Sequence, residues 1–115
     1  MAFNLSSKIY PEPLRYVDYP FITMVYAPLG SPFANPVRIF WLQNQTDVTI
    51  FCSFDGVTDH FVLPSKTFLL LDITTNSSLP AGSLYFAQGQ RLYIASPVSP
   101  TTGTVYLSVF YGVNN

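Results

Sequence analysis

Apolar residues along this chain recur at every second position over short stretches, the period of a half-buried β-strand, and nowhere at the spacing of three and four that marks a helix. From Phe21 onward these stretches alternate with turn-forming residues. Strands are predicted over 21–26, 36–43, 47–54, 60–63, 67–74, 84–87, 91–95 and 104–111. Between them stand Pro28-Leu-Gly-Ser-Pro32, Asp55-Gly56, Pro64-Ser-Lys66, Gln88-Gly-Gln90 and the polar runs 76–82 and 96–103. Asp55-Gly56 is a strong reversal signal, so 47–54 and 60–63 read as a hairpin. The pattern predicts an all-β fold: a single antiparallel β-sandwich over 21–115, jelly-roll-like, although strand count and alternation are the same in other sandwich topologies.

Residues 1–20 read differently. Tyr10-Pro-Glu-Pro-Leu-Arg-Tyr-Val-Asp-Tyr-Pro20 holds three prolines and little alternation, which favours extended backbone. This is an extended, Pro-rich N-terminal arm, lying either as an edge strand on its own domain or across a neighbouring subunit. On the second reading its deletion leaves a folded domain that no longer assembles.

The two faces of each strand differ in what they offer. In 47–54, Val48, Ile50, Cys52 and Phe54 share one face, with Thr49, Phe51 and Ser53 on the other. In 36–43, Val37, Ile39 and Trp41 are assigned inward, leaving Phe40 and Leu42 beside Arg38. The last strand sets Val105, Leu107, Val109 and Tyr111 against Tyr106, Ser108 and Phe110, and Tyr93 stands opposite Leu92 and Ile94. Aromatic side chains thus recur on faces that a sandwich should turn to solvent. With the arm's apolar residues they form the expected contact set: Tyr10, Pro11, Leu14, Tyr16, Tyr19, Phe40, Tyr93, Tyr106 and Phe110.

Composition sharpens this. Charged residues make up 10% of the chain, against 49% hydrophobic and 17% aromatic, where an ordinary domain carries roughly a quarter charged. A surface so poor in charge suits coverage by neighbouring molecules, and a homo-oligomer, for instance a trimer, is expected. The five basic residues Lys8, Arg15, Arg38, Lys66 and Arg91 are scattered, which argues against nucleic acid as a partner, since phosphate binding needs a basic stripe. Apolar runs are strand-length and argue against a membrane span. The first eight residues lack the pattern of a secretory signal, so synthesis in a reducing cytoplasm is expected. The sequons at Asn4, Asn44 and Asn76 are accordingly read as fortuitous.

The inventory of reactive groups is thin. One cysteine and one histidine allow only a Cys52–His60 pair as a nucleophilic arrangement. Cys52 shares a face with Ile50 and Phe54, where an inert buried thiol is expected. A tetrahedral metal site needs three or four ligands of this kind. Asp55-Gly-Val-Thr-Asp59 could offer carboxylates to a hard cation, but reads better as a turn capped by Asp55 with Gly56 at positive φ. No enzyme activity, cofactor or metal is expected.

The block from Asn44 to His60, with Phe68-Leu-Leu-Leu-Asp72, Ala87-Gln-Gly-Gln-Arg-Leu-Tyr-Ile94, Gly103-Thr-Val-Tyr-Leu-Ser-Val-Phe-Tyr-Gly112 and the opening Asn4-Leu-Ser-Ser-Lys-Ile-Tyr-Pro-Glu-Pro-Leu-Arg15, resembles small virion proteins of tailed bacteriophages. The resemblance implies a capsid cement (decoration) subunit, located in the virion and bridging the major capsid protein or other virion subunits. A neck or tail adaptor, or a fibre-anchoring subunit, is the alternative within the particle. The alternative outside it is a carbohydrate-binding β-sandwich using exposed aromatics.

Overall fold

Among the described residues, strand β9 (Thr104–Val113) is the longest element and organises one of the two sheets. The structure is a computed structural model that describes residues 8–72 and 88–113. On one side β9 pairs antiparallel with β1 (Lys8–Pro11) and β2 (Arg15–Asp18). On the other it pairs with β4 (Ile39–Asn44), which pairs in turn with β7 (Thr67–Asp72). The second sheet runs in the order β3 (Ala27–Pro28), β8 (Tyr93–Ala95), β5 (Ile50–Ser53), β6 (Phe61–Leu63). With β1 and β2 taken as one interrupted strand, the chain crosses between sheets at every step except the β5–β6 hairpin. That is the strand order of a jelly roll.

The inner faces meet in one core. Sheet one contributes Phe40, Leu42, Val105, Leu107 and Val109, and sheet two Ile50, Cys52, Leu63 and Ile94. Ile22, Leu29, Phe33, Val37 and Leu92 enter from the connections. Each such side chain contributes about 1.5–3 kcal/mol on burial. Asn44 is fully buried among them yet satisfied: its Nδ2 donates to the carbonyls of Val48 and Leu63, both at 2.9 Å, and its Oδ1 accepts from Thr46 N and Oγ1. That burial leaves its sequon closed to glycosylation in the folded state.

Residues 8–18 take the first of the two placements open to the N-terminal segment, as the outer strand of their own domain. Pro11 lies opposite Phe110 and Arg15 opposite Leu107, so four steps along the segment span three along β9. Pro13, without an N–H, falls in this interruption. The extra residue resets the alternation, and Glu12 and Arg15 both turn inward and meet at 2.8 Å. Arg15 Nε also donates to Ser31 O and Nη2 to Pro32 O, with the guanidinium over the Phe33 ring. Glu12 accepts from the amides of Ala34 and Asn35 and from Asn35 Nδ2. Burial raises the Glu12 pKa, but the bonds from Arg15, Asn35 and Ala34 outweigh it and hold the carboxyl below its ordinary value. The boundary expected after residue 20 therefore does not separate a free arm from a domain; residues 1–7 lie outside the described set.

Three other expectations change. The strand expected over 21–26 is a 3₁₀ turn, Tyr19–Phe21, followed by irregular chain, and only Ala27–Pro28 pairs, with β8. The faces of β4 are inverted: Phe40 lies opposite Val109 and Leu42 opposite Leu107, so both are core and Trp41 points outward. Phe40, expected at an interface, is fully buried. Ser53, expected on an outer face, is buried because the following loop folds back and its Oγ bonds to Asp55 and to the Gly56 amide. The strand expected over 84–87, and the end of that over 67–74, lie outside the described residues.

Candidate interaction surface

The inner alternation of β9, Val105-Leu107-Val109, fixes the opposite face as Tyr106, Ser108 and Phe110. Register carries that outer face across the sheet. Tyr106 stands between Tyr16 on β2 and Gln43 on β4, and Gln43 is followed by Phe68 on β7. One row on, Ser108 is followed by Trp41 and Leu70; the next row runs Pro11, Phe110, Ile39 and Asp72. Tyr16 is 57% exposed, Trp41 38%, Phe68 63% and Leu70 55%. Ile39, Tyr106 and Phe110 are half-buried beside them. Gln43 and Ser108 are the polar members of the centre, and the carboxylates Asp18 and Asp72 stand at opposite corners, on β2 and β7.

The outer face of sheet two is more covered. Ala95 is buried and Phe51 and Tyr93 are half-buried, while Val62 is exposed. The β5–β6 loop lies over Tyr93, with the position of a Gly56 Cβ at 3.4 Å from its ring. Asp55 shapes that loop by accepting from the Val57 and Thr58 amides, both at 2.8 Å. Those bonds, with the one from Ser53, pull its carboxyl well below the ordinary carboxylate range. Gly56 at φ +80° supplies the left-handed residue.

A second apolar surface sits at one end of the sandwich. The β2–β3 and β8–β9 connections are joined there by Ser96 N donating to Thr23 O, at 2.8 Å, and Tyr19 N donating to Gly103 O. They carry Phe21, Met24, Val25 and Val98, each more than three-fifths exposed.

Of the residues expected to make contacts, Tyr16, Tyr106 and Phe110 come together on sheet one, with Pro11 at their margin. Tyr10 lies on the other side of β1, its ring 5.7 Å from that of Tyr111. Leu14 is exposed at the strand interruption, Tyr19 is in the 3₁₀ turn, Tyr93 is on sheet two and Phe40 is in the core. Sequence reasoning missed Ile39, Trp41, Phe68 and Leu70, which lie in unbroken apolar runs. It also missed Phe21, Met24 and Val25, hidden in a segment that reads as a strand.

Cys52 and His60 both stand at the β5–β6 hairpin. Burial pushes the Cys52 thiol up to about 12, the wrong direction for a nucleophile. His60 Nδ1 accepts from the Phe54 amide at 3.0 Å, and its own amide bonds Cys52 O to close the hairpin. Among the described residues, no three or more His, Cys, Asp and Glu side chains gather where they could hold a metal ion. Comparison with protein-family models, with curated proteins and with solved structures finds no match.

Proposed function

We propose that this chain is a non-enzymatic assembly subunit that bridges neighbouring proteins. In the form suggested by the resemblance of its strand-and-turn blocks, it is a cement subunit of a tailed-phage capsid. The observation that carries the reading is that exposed apolar side chains stand at two places in the fold, on the outer face of sheet one and on the connections that carry Phe21, Met24, Val25 and Val98. A single patch suits a pairwise contact; two surfaces, on a sheet face and at a loop end, let one copy touch two neighbours. A bridging subunit stabilises a shell by binding only its assembled form, and even a small preference is multiplied over many copies.

The test is to locate the protein on purified virus particles by immunogold electron microscopy. Label spread over the head supports a cement subunit, and label at one vertex makes it a neck or tail component. Particles without label remove the virion reading.

The outward Trp41 favours a second reading, a carbohydrate-binding module. Ser108 stands opposite Trp41, with Gln43 two positions along β4 and Asp72 diagonal to it, polar residues on the same face. Glycan binding that disappears in Trp41→Ala, by a monomer absent from particles, would establish it instead.

A further inference from the structure

We infer that the outer face of sheet one is the interface of a homodimer, a second copy of this chain packing face to face upon it. The inference rests on the assembly reading and names the partner of that surface.

Area is the first argument. An aromatic side chain presents about 150–250 Å², so Tyr16, Trp41, Phe68 and Leu70 at their exposures offer about 400 Å². Ile39, Tyr106 and Phe110 bring the apolar part to roughly 600 Å², the upper end of what a free monomer leaves bare. With the polar rim added, the face approaches the ~800 Å² per partner of a standard interface.

Shape and charge select the occupant. The surface is a sheet face, and a second sheet can cover such a face from about 10 Å away with side chains interleaved. Another copy of this chain supplies a matching apolar sheet face. No lysine or arginine lies in the rows described, and the cation at their margin is Arg38, whose guanidinium lies against Gly112 on β9, so the centre of the face carries no positive charge to select an acidic partner. Asp18 and Asp72 sit at diagonal corners, on the rim of the face and not in its centre. A face that meets its own copy does so about a two-fold axis. The elementary oligomer is then a dimer, where the sequence suggested a trimer.

Sedimentation velocity on the full chain over about 1–100 µM tests this, since interfaces of this size hold at micromolar or better. The wild-type protein should sediment as a dimer. Leu70→Arg should weaken association at least about tenfold with circular dichroism unchanged, because each subunit would carry a bulky charged group into an apolar contact. Val62→Arg, on the exposed part of sheet two, should remain dimeric. If Leu70→Arg fails to fold, Phe68→Glu takes its place. A monomeric wild type, or a dimer that these substitutions leave intact, overturns the inference. Particle incorporation of the same variants separates the two claims. A monomer whose incorporation is lost in Leu70→Arg keeps the assembly reading and gives the face to a different chain.

Discussion

Replacing Arg15 with alanine tests whether the N-terminal strand belongs to the domain. The guanidinium is buried, with 5% of its side chain exposed, and Glu12 beside it has 2%. Arg15→Ala removes the bonds to Glu12, Ser31 O and Pro32 O, leaving a buried carboxylate held only by Ala34 and Asn35. It also empties the space beside Gly30, where the Arg15 stem lies so close that no Cβ fits. Breaking a buried pair from one side costs about 3–5 kcal/mol. That is a large share of the roughly 5–15 kcal/mol that holds a domain together. Thermal unfolding followed by circular dichroism should show a fall of about 10–20 °C. Arg15→Met, which breaks the same pair but keeps most of the stem, should fall at the lower end of that range, about 3 kcal/mol. Deleting residues 1–20 should prevent stable folding, since it strips β9 of a whole partner strand together with the pair. If Arg15→Ala costs under about 1 kcal/mol, the value of an exposed pair, the clasp does not hold the strand and the reasoning fails.

Acid should act on the same pair. Because the Glu12 pKa is lowered in the fold, its stabilisation is present above the ordinary value of 4.5 and is lost as pH falls through the lowered one. The melting advantage of wild type over Glu12→Gln should therefore shrink between pH 6 and pH 3, and an advantage constant with pH would contradict the assignment. Gly103→Ala should abolish folding, because φ is +100° and the new Cβ would lie 2.1 Å from Gln45 O, a backbone atom. Gly89→Ala, at φ +89° with nothing within 4 Å, should cost only about 1–2 kcal/mol, and equal melting points for the two variants would be inconsistent with this. Cys52 should resist Ellman's reagent at pH 8 in the native protein and react fully in denaturant, as expected of a buried thiol raised to about 12; rapid native labelling would show the core open.

Where the sequence alternates strictly, it could be read to the residue. Val105-Tyr106-Leu107-Ser108-Val109 assigns both faces of β9 because a polar residue interrupts one of them, and Thr49-Ile50-Phe51-Cys52-Ser53 assigns β5 in the same way, with Thr49 and Ser53 as its marks. Ile39-Phe40-Trp41-Leu42 and Phe68-Leu69-Leu70-Leu71 carry no such mark. With apolar side chains on both faces, period two has no phase, and a one-residue slip exchanges core for surface. The phase of β4 is instead set by its neighbour β9, a long-range pairing that local pattern does not contain. Extending the phase of Val37 into the strand gave the inverted reading, since Val37 and Arg38 precede β4. The N-terminal clasp was hidden for a related reason: Glu12 and Arg15 are an odd number of positions apart, and strict alternation would put them on opposite faces. Only the interruption at Pro13 brings them together.

That interruption links the clasp to the candidate interface. Tyr16 follows Arg15 on β2, so inward placement of the guanidinium turns the phenol outward onto the face beside Tyr106. Tyr16 is among the four most exposed members of that face, and its position depends on β2 remaining docked. Arg15→Met should consequently weaken self-association as well as stability, although Arg15 itself is buried on the other side of the sheet. Tyr16→Ser should weaken association alone, with its melting point unchanged at concentrations where both proteins are monomeric. The dissociation constants of the two variants, measured at a temperature where both are folded, distinguish an undocked strand from a lost contact. If Arg15→Met associates as wild type does, the strand stays in place without its clasp and the proposed coupling between core and surface is absent.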